Sequence, residues 1–181
     1  MKIFIDAGHG GTDPGAVNLE FGMTEATMNL DIAIRLERLL IERGYTTRMS
    51  RRSDIFVSLQ QRANEANSWG ADYYVSIHCN ASVIPEANGT ETLYYSDYSE
   101  GMHLAQSIQE HLVAANGLAD RGIVPRPNLA VLRLTFMPSV LAEIAFISNP
   151  EEAALLATID FRQACARGIA DGISAFLGDR M

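Results

Sequence analysis

Four residues spread along this chain of 181 could together perform hydrolysis: His9, Glu25, His78 and Glu143. Two imidazoles and a carboxylate supply three ligands for one Zn2+ ion and leave the fourth tetrahedral position to water, as in a catalytic rather than a structural zinc site. A water so held becomes a usable nucleophile near neutral pH. Glu143 is the odd residue in the apolar run Val140-Leu141-Ala142-Glu143-Ile144-Ala145-Phe146. An ionised carboxylate alone in such a strand carries a desolvation cost of several kcal/mol, so it must be paired, protonated or placed at an opening. Burial would raise its pKa toward the range suited to a general base that later acts as an acid.

Each residue also has a plainer reading. A histidine beside a turn commonly hydrogen-bonds its own loop, and a glutamate in a first helical turn is favoured by the helix dipole. Glu143 could be a core carboxylate satisfied by Arg121 or Arg133. No H-E-x-x-H spacing joins the set, so spacing alone leaves these alternatives open.

The elements that must position these residues follow from periodicity and punctuation. Residues 2–7 read as a strand that breaks at Gly8-His9-Gly10-Gly11. From Thr24, a plausible N-cap, Met28, Ile32, Leu36 and Leu39/Leu40 recur at helical spacing, which puts Glu25 in the first turn; Gly44 is the stop. Residues 45–49 predict a second strand, and Ser58 caps a helix ending at Gly70. Residues 73–77 form the clearest strand and end at His78. A strand over 90–95 precedes an amphipathic helix with Met102, Ala105, Ile108 and Leu112 on one face. A short strand is expected at 129–132, and a strand buried on both faces at 140–147. Asn149-Pro150-Glu151-Glu152 is a helix start, and Asp160 is expected to cap the last helix. The fold class is therefore α/β, a single domain over 1–181 with a mostly parallel twisted sheet and helices on both faces. In such sheets ligands gather at the carboxyl ends of strands, where His9, Glu25 and His78 would all lie.

Bulk properties narrow the partners. With 48% apolar and 20% charged residues the composition is that of a soluble globular protein. The net charge of −8 and pI near 4.9 would repel nucleic acid and acidic membrane surfaces. No run approaches the ~20 apolar residues of a membrane span, and the N-terminus does not read as a signal peptide. Cys79 and Cys165 are too few for a disulfide framework and are expected to be buried free thiols. Neither a G-x-S-x-G elbow nor a nucleotide-binding glycine fingerprint occurs.

The motifs resemble the zinc-dependent N-acetylmuramoyl-L-alanine amidases of the amidase 3 type. The matching pieces are IDAGHGGTDPGA at 5–16, Glu25 entering the first helix, VSIHCNAS at 75–82, NGTETLYY at 88–95, DRGI at 120–123 and MPSVLAEIAFISNPEE at 137–152. The resemblance runs essentially end to end. It implies that His9, Glu25 and His78 bind one Zn2+ with a water as fourth ligand, that Glu143 is the catalytic acid/base, and that the substrate is peptidoglycan. The bond cut would be the amide between the lactyl group of N-acetylmuramic acid and L-alanine. Arg121 and Arg133 are candidate partners for stem-peptide carboxylates, and Asn80 is a third candidate substrate contact. A monomer acting on the cell wall, in an extracellular or periplasmic setting, is expected. The competing reading is a non-catalytic peptidoglycan-binding protein on the same fold, although simple binding needs no buried base.

Overall fold

The computed structural model describes residues 1–178. In chain order the elements are β1 (Lys2–Ala7), β2 (Val17–Asn18), β3 (Met23–Thr24), α1 (Glu25–Glu42), β4 (Thr46–Met49), α2 (Leu59–Trp69) and β5 (Tyr73–Asn80). They continue with β6 (Thr90–Tyr94), α3 (Glu100–Asn116), β7 (Asp120–Pro125), α4 (Ala130–Arg133), β8 (Ser139–Phe146), α5 (Pro150–Leu156) and α6 (Ile159–Gly178). Six strands form one sheet in the order β4-β1-β5-β8-β6-β7, and β2 and β3 make a separate antiparallel pair. The first four strands are parallel; β6 runs antiparallel to β8 and parallel to β7.

Burial explains why the central strands read as unbroken apolar runs. Side chains alternate across a strand, so Ile3, Ile5, Val75, Ile77, Val140 and Ala142 enter the larger core, shared with α1, α3 and α6. The intervening Phe4, Tyr74 and Leu141 enter a smaller core with Ala66 of α2 and Val131 and Leu132 of α4. Ile32, Leu36 and Leu40 are fully buried along one stripe of α1; each contributes roughly 1.5–3 kcal/mol relative to an exposed side chain. The helix begins where expected, because the Thr24 hydroxyl accepts from the Thr27 amide.

Two local expectations differ, and one strand has no counterpart in the sequence reading. Residues 129–132 are not a strand: α4 forms there, a single turn that buries Val131 and Leu132 under the sheet, and Leu129, Ala130 and Val131 line a cavity. Asp160 lies inside α6, and the Thr158 hydroxyl accepts from the Phe161 amide in its place. The DRGI segment is an edge strand, β7, which Gly122 at positive φ and only partial burial keep from reading as one. Both cysteines are buried and free. Among the described residues no helix is long and apolar enough to cross a membrane.

Candidate metal centre

The carboxyl ends of β1 and β5 lie side by side, since Ala7 pairs with Ile77. The next residue of β1 is Gly8, and a Cβ there would lie 2.3 Å from Nε2 of the His78 ring, so only glycine lets that imidazole lie across the end of the strand. His9 follows with φ 59, and Gly15, with φ 65, leaves no room for a Cβ beside the Glu25 carboxylate. The loop between them folds back so that the Glu25 amide donates to Ala16 O and the Ala26 amide to Pro14 O.

These constraints bring His9, Glu25 and His78 into one group. Their ligand-type atoms all lie within 4.8 Å of one another. His78 Nδ1 is 2.9 Å from Glu25 Oε1, and His9 Nε2 is 3.2 Å from Glu25 Oε2. His9 Nδ1 meets Asp13 Oδ2 at 2.8 Å, which fixes the ring and turns its other nitrogen toward Glu25. The carboxylate itself accepts from the Ala16 and Cys79 amides and from Asn29 Nδ2. The Cys79 side chain points the other way, into the larger core.

The electrostatics record the same convergence. Burial alone would raise the Glu25 pKa, but hydrogen bonds from His78 and His9 and their charge hold it far below the carboxylate range. The hydrogen bond to Glu25 pushes His9 up to about 9 against the opposing effect of burial. In the metal-free protein a proton on His9 thus stands in for the charge of a cation, and binding a cation would release it. Two imidazoles and one carboxylate on rigid backbone are a fitting donor set for zinc.

Glu143 lies beside this group. It is the register partner of His78 in β8 and of Glu91 in β6, so the three side chains stand on one face of the sheet. Part of the side chain reaches solvent, yet Oε2 is sealed off with no hydrogen-bond partner among the described residues. Neither Arg121 nor Arg133 satisfies it. Arg121 Nε is 3.5 Å from Glu91 Oε2 and its guanidinium lies over the Phe146 ring. Asn80 donates to Glu91 Oε1 at 2.9 Å. Arg133 is exposed at the end of α4 and is not among the residues that line the cavity beside His9 and His78. That cavity, about 560 Å³, lies between the start of α2 and α4 and is walled by Phe56, Leu59, Leu129 and Val131.

Burial, reinforced by the Glu25 and Glu91 carboxylates and opposed by His78 and His9, raises Glu143 from 4.5 to about 7. An acid raised on folding adds stability that is complete below its unfolded value and is lost as pH rises through the folded one. Chelated Glu143→Gln is therefore expected to be more stable than the chelated parent at pH 8, by on the order of 2 kcal/mol, with no such gain at pH 4. Urea unfolding at both pH values checks this, and equal stability at pH 8 would mean that Glu143 is well solvated.

Sequence reasoning missed several supporting residues. Asp13 reads as turn chemistry. Arg51 and Arg62 were not singled out, although Arg62 stands next to Ala63 on the stripe of α2 that also buries Ala66, and a guanidinium at such a position signals a buried acceptor.

Comparison with known proteins agrees with this geometry. The family described as N-acetylmuramoyl-L-alanine amidase, amidase 3, matches residues 3–175. The sporulation-specific N-acetylmuramoyl-L-alanine amidase of Bacillus subtilis (strain 168) is 42% identical over 176 residues, 96% of this chain and 67% of the relative. The amidase LytC of the same organism is 41% identical over 96% of this chain, which spans only 35% of that relative. Among solved structures, the catalytic domain of CwlV, an N-acetylmuramoyl-L-alanine amidase from Bacillus (Paenibacillus) polymyxa var. colistinus, superposes with a TM-score of 0.92 at 39% identity, over 98% of both chains. From the matched residues and the shared fold, this chain belongs to the amidase 3 family of N-acetylmuramoyl-L-alanine amidases.

Proposed function

We propose that the chain is a zinc metallo-amidase that hydrolyses the bond between N-acetylmuramic acid and L-alanine in peptidoglycan. The observation that carries this reading is an unpaired buried carboxyl oxygen, on Glu143, on the same sheet face as a His-Glu-His donor set. A wall-binding protein has no use for that costly carboxylate, whereas a hydrolase does.

His9, Glu25 and His78 would hold the ion. When bound, it supplies Lewis acidity, lowering the pKa of water and polarising the substrate carbonyl. Glu143 then acts on protons: its carboxylate, which reaches the solvent side of the strand in part, would take one from the attacking water and deliver it to the departing amide nitrogen. A value near 7 suits both halves of that exchange. Asp13 keeps the His9 ring in place throughout.

Arg121 and Asn80, both held on Glu91 beside Glu143, are proposed as contacts to the stem peptide, with Arg121 facing a carboxylate. Arg133 was the third candidate from the sequence and has no support in its position. The catalytic unit is taken to span 1–181 and to act as a monomer on the wall, outside the cytoplasmic membrane. Incubation with a defined muropeptide tests the bond assignment: mass spectrometry is expected to show a free L-alanine terminus and an intact lactyl sugar. Cleavage within the peptide or the glycan would refute it. In the same assay Arg121→Ala is expected to raise KM several-fold with kcat little changed, and an unchanged KM would remove Arg121 from the substrate contacts.

A further inference from the structure

Beneath the ligand group lies a layer of buried charge that the hydrolytic step does not use. Asp6, Arg51 and Arg62 are 1%, 3% and 2% exposed. Arg62 pairs with the Asp6 carboxylate at 2.6 Å, whereas every hydrogen bond from Arg51 goes to a backbone carbonyl, so ion pairing alone does not explain the two guanidinium groups. Their other donors go to backbone carbonyls; apart from Ser53 O and Val57 O in the loop before α2, those carbonyls belong to the segments that carry the metal ligands.

Arg51 Nη2 donates at once to Gly8 O at 2.8 Å and to Ala26 O at 2.7 Å. It thereby joins the residue before His9 to the residue after Glu25. Its Nε donates to Ala7 O at 2.9 Å. Arg62 Nη2 donates to His9 O at 2.8 Å, bracing a non-glycine residue at φ 59, a conformation that costs on the order of 1 kcal/mol without such support. Arg62 Nη1 donates to both Asp6 Oδ1 and Ala7 O at 2.6 Å. Asp6 Oδ2 in turn accepts from the Ser76 hydroxyl at 2.7 Å, two residues before His78 on β5. All three ligand-bearing segments are thus tied to one rigid layer.

We propose that Arg51 and Arg62 are positioning residues that set the spacing of His9, Glu25 and His78, so that their main effect is on metal affinity. This rests on the metal reading above. A guanidinium presents several donors in a fixed plane and can bridge two carbonyls at a defined separation; a lysine ammonium is a single flexible point charge and cannot reproduce that gauge. Residues that orient metal ligands from behind typically change affinity by roughly 10–100-fold when replaced.

The test uses the whole chain as parent, Arg51→Lys and Arg62→Lys. Zinc affinity is measured by competition with a chelating dye, the site is reported by the visible spectrum of the Co2+-loaded protein, and urea unfolding is followed on the chelated forms. The parent is expected to bind one zinc ion. Both variants should bind it about 10–100-fold more weakly, with an altered cobalt spectrum, while their chelated forms still unfold cooperatively. If the parent binds no zinc, the metal reading itself fails. If the parent binds and Arg51→Lys matches it in affinity and spectrum, the positioning role is overturned whatever its stability. Arg51→Lys leaves the Asp6–Arg62 pair in place and decides the matter if Arg62→Lys does not fold. Failure of both to fold would also overturn the proposal, because the arginines would then be determinants of the fold.

Discussion

Glu143→Gln is expected to lower kcat on peptidoglycan by roughly 10²–10⁴-fold, the usual range for losing a positioned acid/base. Glutamine is nearly isosteric, so the strand, the pairing with His78 and Glu91 and the shape of the site are kept; what is lost is the ability to accept and return a proton. Zinc content should remain that of the parent, because Glu143 is not one of the three clustered ligand residues. Substrate binding should change little, so the loss should fall on kcat rather than KM. The variant is also expected to be the more stable protein when chelated at pH 8. A residue whose removal stabilises the fold and abolishes turnover is being kept for chemistry. Rates within a few-fold of the parent, at equal zinc content, would show that another group handles the proton.

Removing a ligand should have an effect of similar size but a different signature. Glu25→Ala takes away the carboxylate that both imidazoles meet, together with acceptors for the Ala16 and Cys79 amides. Zinc affinity is expected to fall by at least 10²-fold, and activity at limiting zinc to become undetectable. Excess zinc should restore part of it, since His9 and His78 remain on a shared backbone framework. Metal analysis after gel filtration, alongside rates at graded zinc, separates this pattern from that of Glu143→Gln, in which zinc stays and turnover goes. Parental affinity in Glu25→Ala would place the ion elsewhere. Loss of backbone acceptors will also destabilise the fold, by about 1–3 kcal/mol for each buried donor left unpaired, so unfolding must be followed in parallel.

The fold was largely legible because the strands that build it are buried on both faces. The runs ending at Ala7, His78 and Phe146 are short, apolar and bounded by glycine, proline or asparagine, and the helices carry clear caps at Thr24, Ser58 and Asn149. Legibility failed where burial was partial or the element short. Residues 129–132 have the apolar character of a strand but bury Val131 and Leu132 as one helical turn, a choice made by packing under the sheet rather than by propensity. The β2–β3 pair has two residues in each strand and offers no alternation to detect.

At the candidate site, residue type is what makes His9, Glu25, His78 and Glu143 stand out, because histidines at strand ends and a glutamate in an apolar run are chemically conspicuous. Arg51 and Arg62 were not conspicuous. Their meaning lies in which carbonyls they reach, Gly8, His9 and Ala26, and that depends on a loop whose path no periodicity encodes. Arg133 is exposed at the end of α4 and outside the cavity lining for a related reason: a charge near a motif in sequence need not face the site in space.

The most direct measurement compares the release of free L-alanine amino termini from purified peptidoglycan by the untreated, chelated and zinc-restored protein. Release that stops on chelation and returns with zinc is the expected result. Release that continues unchanged after complete removal of metal, or no release from a zinc-loaded protein that still binds the wall, would contradict a metallo-amidase built on His9, Glu25, His78 and Glu143.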